Sequence, residues 1–113
     1  VRIHPQTGLP KHHDGVDIRA PQGTPVVATA RGAVTSSGTE RGYGLIVKIA
    51  HGRGLETLYA HLSKSRVTPG MRVRRGAVIG NVGASGNATG AHLHYEIRRA
   101  GKPVDPAPFI PVK

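Results

Sequence analysis

The 113-residue sequence predicts an all-β domain, and three features lead to that prediction. Its 16 glycines and 9 prolines are scattered along the chain at a density that disfavours long helices. Short segments rich in β-branched residues recur between turn signals. Aromatic residues make up only 4%, so we expect a thin core of Val, Ile, Leu and Ala and no large rings. These features favour one domain, residues 1–113, built on a twisted and mostly antiparallel sheet.

The strands follow from local patterns along the chain. In "LIVKIAH", Leu45, Val47 and Ile49 share one face and Lys48 points the other way, the alternation of a half-buried strand. The tail "GKPVDPAPFIPVK" carries four prolines and is expected to cover an edge or cross the surface without pairing. The predicted strands are 24–30, 33–37, 44–51, 55–61, 72–73, 78–82 and 92–98, with hairpin turns at 31–32 and 52–54.

Composition narrows the classes of partner and chemistry. Sixteen Lys and Arg against six Asp and Glu give a net charge of +10, which favours polyanions: nucleic acid, a membrane surface or an anionic cell-wall polymer. Simple solubility is the alternative explanation of this charge. The absence of cysteine excludes disulfides, thiolate zinc sites and cysteine nucleophiles. Any metal must therefore bind to histidine and carboxylate. No apolar run approaches membrane-spanning length.

The stretch "GAHLHYEI" places two histidines inside a predicted strand. His92 and His94 lie two residues apart, so both project from one face, with Glu96 next in line and apolar residues on the opposite face. Glu96 is expected either to accept a hydrogen bond from the His94 imidazole or to be a solvated strand residue.

The stretch "LETLYAH" shows a similar pattern and ends in another histidine. Alternation predicts that Thr57, Tyr59 and His61 share one face of their strand. If this strand lies beside that of His92 and His94, three imidazoles converge.

The stretch "HHDGVD" adds His13 and Asp17, four residues apart. A fully extended chain would separate them by roughly 13 Å, so a bend at 14–15 is needed to bring them together. A catalytic zinc takes about three protein ligands and leaves one position for a water. His13, Asp17 and one histidine of the 92/94 pair would supply the three protein ligands. The other histidine of that pair and His61 would then manage the proton of the water or the charge of a tetrahedral intermediate.

Structural roles remain open for these residues, because H-x-H and H-x-x-x-D each occur by chance. His4, His12 and His51, taken singly, are expected to be structural or solvent-facing. The absence of H-E-x-x-H excludes a helix-borne zinc site with a glutamate base.

The chain resembles the lysostaphin/LytM-type zinc endopeptidases, which cut cross-bridges or stem peptides of bacterial peptidoglycan. The matching text is "HHDGVDIRAPQGTPVVATARGAV", "GYGLIVKIAHGRGLETLYAHLS" and "VTPGMRVRRGAVIGNVGASGNATGAHLHYEI", and the resemblance covers roughly residues 4–106. It implies one zinc ion held by His13, Asp17 and His94. It also implies that His61 and His92 are the catalytic histidines.

The resemblance further implies a barrel-sandwich hybrid with a central antiparallel sheet and a groove walled by loops, "GASGNATGAH" among them. It implies a bacterial envelope location, with peptidoglycan peptides as substrate and anionic wall polymers as further partners. The abrupt start at Val1 suggests the C-terminal catalytic part of a longer protein. The sequence does not identify the peptide bond that is cut.

Other functions remain as alternatives. A non-catalytic domain that binds peptidoglycan or activates other hydrolases would share this fold. A nucleic-acid-binding barrel is disfavoured, because one Phe and three Tyr offer few stacking platforms. A lipoyl or biotin carrier needs a lysine at a hairpin tip. The turns at 31–32 and 74–76 carry arginine, which cannot form the amide link to such a cofactor.

Overall fold

The structure is a computed structural model of the chain, and it describes residues 16–84, 90–99 and 102–104. All regular elements in these residues are β-strands, joined in one nine-stranded sheet. No helix in the described residues is long and apolar enough to cross a membrane. The strands are β1 Val16–Arg19, β2 Pro25–Val27, β3 Gly32–Glu40, β4 Gly44–Gly52, β5 Leu55–Ser65, β6 Arg72–Val73, β7 Val78–Val82, β8 His92–Arg99 and β9 Lys102–Val104.

The sheet has the order β1-β8-β5-β4-β3-β6, and every pair in it is antiparallel. Off this path, β7 pairs with β2 and β5, and β9 pairs with β8. The predicted all-β architecture with a central antiparallel sheet is therefore confirmed. The predicted groove-wall loop lies partly outside the described residues, because residues 85–89 are not described.

The strand predictions differ from the structure mainly at their ends. β6 and β7 have the predicted bounds, whereas the strand predicted at 24–30 is shorter and the one at 55–61 continues to Ser65. β1 was not predicted. The tail prediction was wrong for Lys102–Val104, which pairs with the end of β8. Pro103 is compatible with this pairing because β9 has only β8 as a neighbour among the described strands, and prolines fit such edges.

The main core lies on one face of the sheet and contains two tyrosines. Tyr59 and Tyr95 are fully buried, with ring centroids 5.3 Å apart, so the expectation of a core without large rings was wrong. Both hydroxyl groups are hydrogen-bonded. The Tyr95 hydroxyl pairs with the Thr29 hydroxyl at 2.9 Å, and the Tyr59 hydroxyl accepts from the Thr57 hydroxyl at 2.9 Å. Other members of this core are Ile18, Val26, Ala28, Val34, Val47, Ile49, Leu62, Val67, Ile79, Val82, Leu93 and Ile97.

A second, smaller apolar cluster forms on the other face of the central strands. It consists of Ile46, Leu58 and Ala60, with Tyr43 packed against it. Ala60 pairs directly with His94 across β5 and β8, and directly paired residues project to the same face. This cluster therefore lies on the face that carries the predicted site.

Candidate metal and catalytic site

Strand register brings Asp17 and His94 together. Asp17 in β1 is directly opposite His94 in β8, so both side chains project from one face. The His94 Nδ1 atom lies 2.8 Å from Asp17 Oδ1, and its Nε2 atom lies 2.7 Å from Glu96 Oε2. Both nitrogens of this imidazole are thus engaged by carboxylates, one on each side.

Glu96 is fully buried and hydrogen-bonded, so the alternative of a solvated strand residue was wrong. The Tyr43 hydroxyl donates to Glu96 Oε2 at 3.1 Å, and Arg98 Nε donates to Oε1 at 2.8 Å. Burial raises the pKa of the Glu96 carboxyl, but the hydrogen bond and charge of His94 together with Arg98 outweigh it and lower that pKa below its usual value. A charged carboxylate in this position is stable because every oxygen has a partner.

The sequence prediction missed Tyr43 and Arg98. Arg98 lies two residues beyond Glu96 on the same strand face, so strand alternation carries a signal for it. Tyr43 is distant in sequence, and only the pairing of the strands brings it to Glu96. It also packs its ring 5.8 Å from that of His94, measured between centroids.

His61 reaches the site through a β-bulge. Leu45 pairs with Leu62 while Val47 pairs with Tyr59, so β5 has one more residue than β4 across this step. The extra residue is accommodated by left-handed backbone at His61, with φ at 62°. The His61 amide donates to the Tyr43 carbonyl at 2.9 Å, which anchors the bulge.

The bulge contradicts the predicted face of His61. Alternation placed His61 on one face with Thr57 and Tyr59, but those two residues pair with Ile97 and Tyr95 on the core face. Because the bulge breaks the two-residue period, the His61 ring is on the opposite face and contacts the histidines of β8.

The predicted convergence of three imidazoles is confirmed. The His61 ring centroid lies 4.9 Å from that of His92 and 6.1 Å from that of His94. His92 Nε2 is 3.7 Å from Asp17 Oδ1, and its Nδ1 is 3.0 Å from the Gly90 carbonyl oxygen. His61 is buried, whereas the Asp17 side chain is 40% exposed, so the cluster is buried on the His61 side and open to solvent at Asp17. By contrast, His51 lies elsewhere and is hydrogen-bonded, the structural role expected of it.

The charges of Asp17 and His94 support each other. The hydrogen bond with His94 lowers the pKa of the Asp17 carboxyl, against the opposing effect of burial. Burial disfavours the imidazolium form of His94, but the hydrogen bonds to Asp17 and Glu96 outweigh that effect and raise its pKa to about 9. The His94 imidazole between two carboxylates is thus strongly basic, and a basic imidazole is a good metal ligand.

The donor chemistry of this cluster fits zinc. If Nε2–H donates to Glu96 and the Nδ1 proton is released, the lone pair of His94 Nδ1 lies beside Asp17 Oδ1, and both atom types are zinc ligands. Within the described residues, His, Asp and Glu do not form a group of three or more arranged to hold a metal. The third predicted ligand, His13, and the bend predicted at 14–15 lie outside the described residues.

An open antiparallel sheet with histidines and carboxylates on one face is compatible with a metal-dependent hydrolase. The chain belongs to peptidase family M23, whose profile matches residues 11–106.

Relatives and solved structures agree with this assignment. The DD-carboxypeptidase/endopeptidase Mpg of Neisseria meningitidis is 52% identical over 105 residues, which are 93% of this chain and 24% of that protein. The crystal structure of a zinc-containing peptidase from Vibrio cholerae is similar, with a TM-score of 0.80, 39% identity, and coverage of 91% of this chain and 32% of that one. The catalytic domain of lysostaphin from Staphylococcus simulans has a TM-score of 0.79 and 33% identity, covering 85% of this chain and 77% of that one. The chain thus spans about a quarter of the first of these relatives.

Proposed function

We propose that this chain is a zinc-dependent endopeptidase that hydrolyses cross-links or stem peptides of bacterial peptidoglycan. The observation that carries the proposal is the meeting of Asp17, His61, His92 and His94 on one sheet face, in a chain of peptidase family M23.

His13, Asp17 and His94 would hold one zinc ion. The two described members support this because His94 Nδ1 and Asp17 Oδ1 are adjacent and aimed at each other. Glu96 would fix the His94 ring by accepting from Nε2, as partners of metal-binding histidines commonly do. When bound, zinc would lower the pKa of a water towards ~7 and polarise the scissile carbonyl group.

His61 and His92 would move the proton and stabilise developing negative charge. If His92 Nδ1–H donates to the Gly90 carbonyl, its Nε2 has a free lone pair on the Asp17 side of the cluster. That nitrogen can accept a proton from an attacking water and return it to the leaving amine. His61, held by the bulge against both other rings, would donate a hydrogen bond to the oxyanion. Because His61 is buried, little water competes for hydrogen bonds at its ring.

The substrate and location are inferred from relatives and from charge. Mpg of Neisseria meningitidis is named a DD-carboxypeptidase/endopeptidase, and ShyC of Vibrio cholerae a peptidoglycan DD-endopeptidase, 44% identical over 95 residues. The net charge of +10 suits a substrate embedded in an anionic cell wall. We therefore propose action in the bacterial envelope, with peptidoglycan peptides as substrate.

Digestion of purified sacculi tests this function. Walls of the diaminopimelate type and the pentaglycine type are incubated with the chain, with and without a zinc chelator, and released fragments are identified by mass spectrometry. We expect chelator-sensitive fragments from one wall type, which would also name the bond. A metal-loaded chain that binds both walls and releases nothing would refute the peptidase and favour a binding or activating domain.

A further inference from the structure

A second concave site lies away from the histidine cluster. It is a groove of about 670 Å³ where the start of β3, the end of β4 and β6 meet. In the sheet order, β6 is four strands from β8, so this groove is at the opposite side of the sheet from His94. Its polar side chains are those of Arg31, His51, Arg72 and Arg74.

The groove collects positive charge without acidic partners. Among the described residues that line it there is no Asp or Glu. Within the described residues, the guanidinium groups of Arg31, Arg72 and Arg74 form no hydrogen bond or ion pair, whereas that of Arg98 binds Glu96. Three arginine side chains that line one groove without a carboxylate partner can share an anionic ligand.

The backbone beneath the arginines is held in place. His51 Nδ1 bonds the Arg31 carbonyl at 2.8 Å, while His51 Nε2 bonds Thr57 Oγ1 at 2.8 Å, which ties Arg31 to the core. A Cβ atom on Gly32 would lie 2.4 Å from the Ala50 carbonyl oxygen, so only glycine allows this close approach of β3 to β4. A fixed backbone limits the freedom that the groove would lose on binding a ligand.

Strand pairing connects the groove to the predicted active site. Arg72 pairs with Ala33, Ala33 with Ala50, Ala50 with Glu56, and Glu56 with Arg98. Directly paired side chains share a face, so Arg72 is on the face that carries His94. Four strand spacings of ~4.8 Å separate the two ends of this row by roughly 19 Å along the sheet.

We propose that this arginine groove binds the phosphate groups of a phosphodiester-linked polyol polymer. Arginine presents a planar fork that pairs with phosphate oxygens, and a tetrahedral phosphate accepts such forks from several sides at once. Three arginines that line a groove of this size can also contact successive phosphates, which suits a chain of phosphates. The lining residues in the described part of the chain include no Phe, Tyr or Trp, so they offer nucleic-acid bases no such ring on which to stack. A polymer bound here would hold the chain on an anionic wall independently of hydrolysis.

The test compares two charge-matched triple variants of the 113-residue chain. One is Arg31→Gln/Arg72→Gln/Arg74→Gln; the other is Arg41→Gln/Lys64→Gln/Arg99→Gln, at exposed positions outside the groove lining. Each removes three positive charges. Binding of a short synthetic poly(glycerol phosphate) is measured by isothermal titration calorimetry at physiological salt, with inorganic phosphate, polyglutamate and single-stranded DNA of equal charge as further probes. Circular dichroism verifies that both variants are folded.

We expect the groove variant to bind poly(glycerol phosphate) about tenfold more weakly or worse, and the control variant to stay within about twofold of the parent chain. Inorganic phosphate should bind the parent chain more weakly than the polymer, through the same arginines. Equal weakening in both variants would overturn the proposal in favour of net charge alone. Equal binding of polyglutamate would overturn the phosphate assignment, and tighter binding of single-stranded DNA would overturn the polymer class. Since no probe contains a peptide bond of peptidoglycan, failure here leaves the proposed peptidase intact.

Discussion

The left-handed backbone at His61 predicts an inverted preference for glycine over alanine. At an ordinary strand position, glycine costs about 0.5–1 kcal/mol relative to alanine. At a φ of 62°, the alanine Cβ atom crowds the backbone and costs roughly 1–2 kcal/mol, which glycine avoids. His61→Gly and His61→Ala both lack the imidazole, so the lost ring contacts cancel between them. We therefore expect His61→Gly to be more stable than His61→Ala by roughly 0.5–1 kcal/mol.

Urea denaturation of the two metal-free variants measures this difference. We expect the midpoint of His61→Gly to be higher by roughly 0.3–1 M. Thr39 is exposed within β3, where its partner is Leu45 and its φ is not positive, so Thr39→Gly and Thr39→Ala form the control pair with the usual order. If His61→Ala is instead more stable than His61→Gly, the bulge does not hold the backbone of residue 61 in the left-handed conformation.

Further predictions concern the support of the site and the core. Glu96→Gln should weaken zinc binding by about 10–100-fold, because His94 loses its charged hydrogen-bond acceptor. The control Glu40→Gln, which affects an ion pair with Lys48, should leave zinc affinity unchanged. Unchanged zinc affinity in titrations of Glu96→Gln would show that Glu96 does not support His94 as a ligand. Gly32→Ala should lower the free energy of unfolding by roughly 1–3 kcal/mol, because its Cβ atom would overlap the Ala50 carbonyl oxygen. The control Gly38→Ala, whose Cβ atom would meet nothing within 4 Å, should be nearly neutral. Similar melting temperatures for the two variants would contradict the close approach of β3 to β4 at Gly32. Leu93→Ala, at a fully buried position, should cost about 2–5 kcal/mol in chemical denaturation, and a smaller loss would show that the core closes over the cavity.

Alternation along a strand was sufficient to predict much of the site. The two-residue period placed His92, His94 and Glu96 on one face, and the structure has them there. The same period identified the core face of β4 through Val47 and Ile49. These predictions succeeded because a strand buried on one face must repeat its pattern in the sequence.

The errors came from effects that are not local in sequence. The bulge at His61 depends on the pairing of β4 with β5, so alternation within β5 alone gave the wrong face. The burial of Glu96 depends on Tyr43 and Arg98, and the Tyr43 contact requires the tertiary fold. The short β1 strand lacks a strong pattern of its own and is defined by its pairing with β8.

The most direct test of the proposed site measures zinc content and peptidoglycan hydrolysis together in three proteins: the parent chain, His94→Ala and His61→Ala. We expect His94→Ala to lose zinc and hydrolysis together. We expect His61→Ala to keep zinc and to lose turnover by about 100-fold or more, the usual contribution of a hydrogen-bond donor to an oxyanion. A zinc-loaded His61→Ala protein with normal hydrolysis, or a His94→Ala protein with normal zinc content, would contradict the roles proposed for these residues.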